Sequence, residues 1–412
     1  MTKPTKILII GASARAAAQA SRRAGLEVAA LDLFVDRDLR SIAECETIRE
    51  YPASIVEQAK HWPNHAVMFC GGMENFPDVV AELEKKHEII GPNASQITSL
   101  RRLRNWQSWA TNPGCDDWLR FPETHTEANG ECDFNGGKIW LMKSHRGAGG
   151  MQVRRCHSSE SFEASHSYIQ RFVPGRVLGI VFRCFPQNTT ILGVTRNLTP
   201  GELLQGKSTA SELPPFLYAG SVGPLHLQTE RETNLSEWID SISVSVNYRG
   251  LLQADFVEGA DGRLYLLEIN PRWTAGMEII EMCSGINLVH EQLRAQFQAF
   301  QEALPSESNP KRDAIKLIVY AAQKQIVCQQ TSDAMMFHSS WHTDQSDDEI
   351  GITGWADIPN VGTEINVGTP VATAWGLRLH RNEANLTEGD ENERSILAEW
   401  PALSTMIEKI KL

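Results

Sequence analysis

The chain has 412 residues, with 39 Lys and Arg against 51 Asp and Glu, a formal charge of −12 at pH 7. That acidity, without a long basic run, argues against a protein that wraps nucleic acid or an anionic membrane, so neither partner is expected. Hydrophobic residues at 42% and charged residues at 22% fit a globular chain, and the length allows roughly two to four domains of about 100–200 residues each.

Residues 1–100 alternate strand and helix. Ile7–Ile10 is a continuous apolar run, as a buried parallel strand requires. Arg15 follows it closely, so the start reads as a strand and not as a signal peptide. Gly11-Ala12-Ser13 makes a turn, Ala14–Ala24 has helical composition, and Leu26–Leu31 is a second strand. Ala66–Cys70 is a third, followed by Gly71-Gly72, and Asp78–Lys86 is a helix. This is an open α/β unit, in which ligands sit at the carboxyl ends of the strands. One glycine after the first strand, in place of GxGxxG, argues against a dinucleotide site.

Residues 101–125 read as helical and 138–185 as β-rich, with Lys138–Lys143, a glycine-rich turn, Met151–Arg155, a short helix and Tyr168–Val173. Residues 195–225 read as a loop rich in Gly, Pro and Ser. Leu235–Tyr248 is an amphipathic helix, and Gly250–Val257 with Leu264–Ile269 forms a hairpin across Asp261-Gly262, a strong turn pair. Ile286–Gln301 is a helix. A linker around Pro305–Pro310 precedes a tail of short strands, in which Val361–Pro370 reads as a small-barrel segment without a carrier lysine.

The eight cysteines form no CxxC pair, and no apolar run approaches membrane-spanning length. They read as small buried hydrophobes in a reducing compartment, with the cytoplasm as the expected location. His338 and His342 are spaced i,i+4, but nothing nearby supports zinc, and Asp344–Glu349 reads as a solvated loop.

Two constellations carry chemistry. In Ile139–Val153 a strand delivers Lys143 into a turn containing Gly147, Gly149 and Gly150. Glycines let backbone N–H groups approach phosphate oxygens, and a lysine adds a point charge; many such hairpins are only tight turns. In the second, Glu268 and Asn270 are i,i+2 on one strand face and Asp255 lies on the partner strand. Two carboxylates and an amide oxygen are hard ligands suited to Mg²⁺. Arg272 follows and can hold a phosphoryl or carboxylate oxygen through its planar fork.

Together these constellations resemble the ATP-grasp superfamily over roughly residues 1–300. The fold class implied is α/β, an ATP-grasp fold with two α+β grasp lobes. The implied division is a pre-grasp α/β domain at 1–100, a small lobe at 101–165, a large lobe at 166–303 and a small β-rich C-terminal domain at 304–412. The resemblance implies ATP and Mg²⁺ as cofactors. It implies that Lys143 and Arg102 or Arg104 contact phosphates and that the hinge Gln170-Arg171-Phe172-Val173 reads adenine. Asp255, Glu268 and Asn270 would hold metal, and Arg272 would hold the transferred group. Gly175-Arg176-Val177-Leu178 lacks the acidic residue that family hinges often carry for the ribose.

Gly11–Ala17, Asp32–Asp38, Gly71–Asn75, Gly220–Pro224 and Ala356–Thr363 are similar to a carboligase-like branch found in genes for pterin- and furan-type one-carbon cofactors, where one related activity joins glutamate to tyramine. The activity implied is an ATP-dependent carboxylate–amine ligase acting on small molecules through an acyl phosphate. A bicarbonate-activating carboxylase and a nucleotide-binding regulatory protein are the alternatives. Dimers are common in the resembled family, which makes a homodimer the implied assembly. Arg15, Glu74, Arg196, Gly220 and Ser221 are the candidates for the substrate side, with Arg15, Arg196 and Arg272 as carboxylate receptors, Arg272 being the best placed because it is tied in sequence to the metal ligands.

Overall fold

The structure, a computed structural model, describes residues 4–112, 114–115, 117–127, 137–156, 162–185, 188–203, 213–297, 312–337 and 352–379. The linker around Pro305–Pro310, the His338/His342 pair and Asp344–Glu349 lie outside them.

Strand Lys6–Gly11 lies between Glu27–Asp32 and Ala66–Phe69, and Glu44–Thr47 completes a four-stranded parallel sheet. Ile7 and Ile9 pack on one face, Leu8 and Ile10 on the other, all fully buried. A strand covered on both faces must be apolar without alternation, which is why this run reads as one block. The Ile7 face packs with helix Arg15–Arg23 against Trp273, Met277 and Leu288. The Trp273 N–H donates to the Phe69 carbonyl at 3.2 Å. The turns after the first and last of these strands are thereby set against the segment that begins at Arg272.

A second, antiparallel sheet has the order Thr124–His125, Ser167–Arg171, Trp140–Ser144, Val153–Cys156. Trp140, Met142, Cys156, Phe162 and Ile169 form its small core. The helical reading of 101–125 needs correction. One helix, Ala94–Arg101, starts from an Asn93/Gln96 capping box, and a second spans Leu103–Ala110. Gly114 at φ +95° lies beyond it, and the chain then runs as short strands Leu119–Arg120 and Thr124–His125.

The third sheet has nine strands, in the order Ile352–Ala356, Pro370–Leu379, Arg312–Tyr320, Gly220–Gly223, Thr190–Leu198, Gly175–Cys184, Gly250–Gly259, Leu264–Asn270 and Leu119–Arg120. Its pairings are antiparallel except the last. The loop expected at 195–225 therefore contains strands. Gly220 misleads because glycine depresses a strand reading, yet here it permits backbone contact: a Cβ on it would run into the Lys316 carbonyl oxygen. Within Val361–Pro370, Glu364–Ile365 pairs antiparallel with Gln325–Ile326, and Pro370 opens a strand that joins this sheet.

Helices Thr229–Ser245, Ala275–Ser284 and Leu288–Gln296 pack on the sheet. The second was not expected. Thr274 caps it, accepting from the Met277 N–H, and Gly285 ends it. Among the described residues no helix is long and apolar enough to cross a membrane.

Candidate active site

Gln253 pairs with Asn270 and Asp255 with Glu268 across the Gly250–Gly259/Leu264–Asn270 hairpin, before a bulge shifts the register. The i,i+2 argument thus brings Asp255, Glu268 and Asn270 together. Asn270 Nδ2 donates to Asp255 Oδ2 at 2.8 Å and to Glu268 Oε1 at 3.3 Å, while its oxygen accepts from Arg272 Nη2 at 3.3 Å. Gln253 Nε2 donates to the other Asp255 oxygen at 2.7 Å.

The two carboxylates differ in charge state. Burial, and then the neighbouring Glu268, push Asp255 up to about 7. Burial also works against the charge on Glu268, but Arg101 and then Arg272 hold it below the ordinary carboxylate range. Two carboxylates and an amide sharing one corner, one of them short of a compensating cation, fit a divalent ion with oxygen ligands. To serve as a ligand, Asn270 would turn its oxygen toward Asp255.

From the four-stranded antiparallel sheet, Lys143 Nζ donates to Gln170 Oε1 at 2.7 Å, and Gln170 in turn donates to Thr124. Burial pushes the Lys143 ammonium down to about 8, and Glu268 opposes that shift. Gln170 is therefore a lysine-positioning side chain. The N–H groups of Arg171 and Phe172 already serve the carbonyls of Glu123 and Ile139. Neither of these two N–H groups is therefore free for a ligand. A cavity of about 540 Å³ adjoins the hinge, lined by Phe121, Phe172, Val173, Asp261 and Tyr265 among others.

The glycine-rich turn rests on the segment Phe216–Tyr218. Tyr218 N–H donates to the Gly149 carbonyl at 2.9 Å. Gly150 has φ +73°, and a Cβ on it would run into the Phe216 carbonyl oxygen. Gly147 closes the turn by donating to Ser144 O at 3.2 Å. On the other side, Asn75 Nδ2 donates to the Arg146 carbonyl at 3.1 Å.

The remaining expected residues sort plainly. Arg102 and Arg104 are exposed. The arginine of this segment that reaches the cluster is Arg101, which donates to Glu268 Oε2 at 3.1 Å, to the Ile269 carbonyl and to Asn75. Glu74 is buried and ion-paired with Arg272 at 2.7 Å, so it holds the arginine. Ser221 is buried beside Tyr218 and donates to Asn197 Oδ1 at 2.9 Å. Gly220 precedes it in the same strand.

Arg196 is not brought to the cluster. Its neighbour Asn197 faces Ser221, strand parity sends Arg196 to the opposite face, and there it pairs with Glu202. Arg15 is also no free receptor: it is 1% exposed and bonded to Glu278 and Asp357.

Residues 116–276 match the model of the ATP-grasp domain. Solved structures share the fold at low identity. The biotin carboxylase domain of Hydrogenobacter thermophilus 2-oxoglutarate carboxylase, in complex with MgADP, ADP and bicarbonate, is 14% identical with a TM-score of 0.63, covering 92% of this chain and 87% of that one. L-amino acid ligase from Bacillus licheniformis is 14% identical with a TM-score of 0.63, covering 97% and 98%. N5-carboxyaminoimidazole ribonucleotide synthetase from Thermotoga maritima is 12% identical with a TM-score of 0.58, covering 96% and 98%. No curated protein sequence matches the chain.

Proposed function

We propose that the chain, whose residues 116–276 match the ATP-grasp domain and whose fold is that of the solved structures above, is an ATP-dependent carboxylate–amine ligase that works through an acyl phosphate. The observation that carries this reading is the corner of Asp255, Glu268, Asn270 and Arg272, closed from the facing hairpin by Lys143. Asp255, Glu268 and Asn270 would hold Mg²⁺, whose chemistry is to neutralise charge on the phosphate oxygens. Lys143 is a cation that an anionic phosphate would hold protonated. Arg272, fixed by Glu74 and by its bond to the Trp273 carbonyl, presents a planar fork to the γ-phosphoryl group.

In the first step a substrate carboxylate oxygen attacks the γ-phosphorus and ADP leaves. In the second the amine nitrogen attacks the acyl carbon, phosphate leaves with the former carboxylate oxygen, and the nitrogen gives up a proton. No protein nucleophile is needed. The chain's work is positioning, charge compensation and, through the docked glycine turn, exclusion of water from the acyl phosphate.

The test is ADP formation over a panel of carboxylates and amines, with and without bicarbonate. Turnover that needs both a carboxylate and an amine, with an amide detected by mass spectrometry, is the expected result. ADP released on bicarbonate alone would replace the ligase by a carboxylase. Nucleotide binding without turnover on any combination would leave a regulatory protein.

Gly150→Ala tests the turn. With φ positive and Phe216 in the way, alanine prevents the turn from resting on the large lobe. The KM for ATP is expected to rise roughly tenfold or more, the scale of one to two lost hydrogen-bonding contacts. Proteolysis within the turn should accelerate. Unchanged values for both would mean that the docked turn takes no part in nucleotide binding.

A further inference from the structure

The metal corner is backed by a buried polar chain that the reaction above does not use. Gln253 lies two residues before Asp255, on the same face of the strand and opposite Asn270. It is 4% exposed. Its amide spans the gap between this hairpin and the start of helix Ala275–Ser284. Thr274 Oγ1 accepts from the Met277 N–H at 3.3 Å and donates to Gln253 Oε1. Gln253 Nε2 donates to Asp255 Oδ1 at 2.7 Å.

Proton counting fixes the orientation of this amide. A threonine hydroxyl has one hydrogen, and an amide nitrogen accepts none. The Thr274 hydrogen therefore goes to Gln253 Oε1, and the amide nitrogen faces Asp255. Turned over, the amide would set Oε1 against Asp255 Oδ1, two acceptors with no hydrogen between them. Thr195, the other hydroxyl lining this space, donates to the Gly179 carbonyl at 3.2 Å and offers no substitute. Gly179 and Gly276 leave the amide its room. A Cβ on the first would come within 2.8 Å of Gln253 Nε2, and one on the second within 2.6 Å of Gln253 Oε1.

The chain does more than cap a helix. Thr274 by itself serves the Met277 N–H, so the bond from Gln253 to Asp255 adds nothing to the cap. Its effect falls on the carboxylate. Asp255 accepts from an amide nitrogen on each oxygen, Oδ1 from Gln253 and Oδ2 from Asn270 at 2.8 Å. An ion would affect these two bonds differently. Asn270 turns its oxygen inward to serve as a ligand, which releases Oδ2. Gln253 is held by Thr274, so Oδ1 keeps its donor. A carboxylate tethered in this way offers one oxygen. Mg²⁺ is small and demands near-octahedral geometry, whereas Ca²⁺ takes more ligands and readily accepts both oxygens of one carboxylate.

We propose that Gln253, oriented by Thr274, is a positioning residue that restricts Asp255 to one ion-facing oxygen and so sets the preference of this corner for Mg²⁺ over Ca²⁺. The proposal rests on the metal assignment within the ligase reading and is independent of the amide-forming step.

The test is calorimetric titration of the full chain with ADP in excess Mg²⁺ or excess Ca²⁺, so that no turnover is involved. The wild type is expected to bind ADP more tightly with Mg²⁺. Gln253→Met keeps the length of the side chain and removes the amide. The ratio of the two dissociation constants should then shift roughly tenfold toward Ca²⁺, the scale of one charge-assisted hydrogen bond. Thr274→Ser keeps the hydroxyl and should keep the wild-type ratio. Thr274→Val removes it and should move the ratio in the same direction as Gln253→Met. A glutamine with only a structural role would weaken both complexes alike, and an unchanged ratio overturns the proposal. A wild type that binds ADP equally well with either ion overturns it too. ADP binding that needs neither ion removes the metal assignment, and the proposal with it. The expected ratios without amide formation from any carboxylate and amine leave the positioning role standing and remove the ligase reading. Should Gln253→Met fail to fold, Thr274→Val decides, and a wild-type ratio in that variant overturns the proposal.

Discussion

Replacing Glu268 by glutamine is expected to lower ADP formation by roughly 10²–10³-fold, the scale of removing one fixed electrostatic group from a reacting centre, with little change in melting temperature. The size of the first effect follows from its position. Glu268 is the carboxylate of the corner that Arg101 and Arg272 keep ionised, whereas Asp255 is pushed toward protonation. Glutamine keeps the shape and still accepts the Arg101 hydrogen bond, but it removes the charge a divalent ion would neutralise. The fold should survive because part of the Glu268 side chain, 34% of its surface, meets solvent. Steady-state ADP release over a Mg²⁺ titration, with thermal melting as control, reads both expectations. Wild-type turnover at saturating Mg²⁺ would sink the metal assignment.

What the sequence made legible follows from how local each relation is. The Asp255, Glu268 and Asn270 corner depends on one hairpin with a clear turn, so strand parity and a short offset suffice. The turn at Gly147–Gly150 is local as well. Arg101 was not legible because the choice among Arg101, Arg102 and Arg104 depends on where one helix stops. Arg102 has ψ 116°, so it leaves the helix and points away, while Arg101 in the last turn points to Glu268. Arg196 failed on parity alone: one residue along the strand, Asn197 has the face that Arg196 was expected to have. The strand at 220–223 was hidden by Gly220, whose role here is close approach to the Lys316 backbone. For Arg15 the decisive partners, Glu278 and Asp357, are 263 and 342 residues away. No local pattern carries that information.

Arg15 is therefore expected to act on stability and not on substrate affinity. Arg15→Ala should lower the unfolding free energy by about 3–5 kcal/mol, the cost of leaving buried carboxylates without their cation. The guanidinium is 1% exposed and its N–H groups are divided between Gln19, Glu278 and Asp357. Arg15→Lys keeps the charge but loses the fork, and should fall between the two. The pH dependence has a definite sign. Burial works against the charge on Glu278, but Arg15 first and then Lys316 pull it down to about 2, from 4.5; Asp357 is held low in the same way. A carboxylate with a lowered folded value stabilises the fold above its unfolded value, and that stabilisation is lost as pH falls through the folded one. The gap between wild type and Arg15→Ala should thus be complete above about pH 4.5 and should close toward about pH 2. Urea unfolding at neutral pH and across that acid window measures it. A variant as stable as wild type at neutral pH, with a raised KM for one substrate, would restore Arg15 as a receptor. The bridge matters to the site because it joins three separate parts of the chain. Arg15 opens the first helix, Glu278 belongs to the helix after Arg272, and Asp357 follows strand Ile352–Ala356 at the far edge of the large sheet. Holding those together keeps the turns after Gly11 and Phe69 at a set distance from Arg272, so the loss of this clamp in Arg15→Ala should reach the Arg272 corner through packing and not through a lost ligand contact.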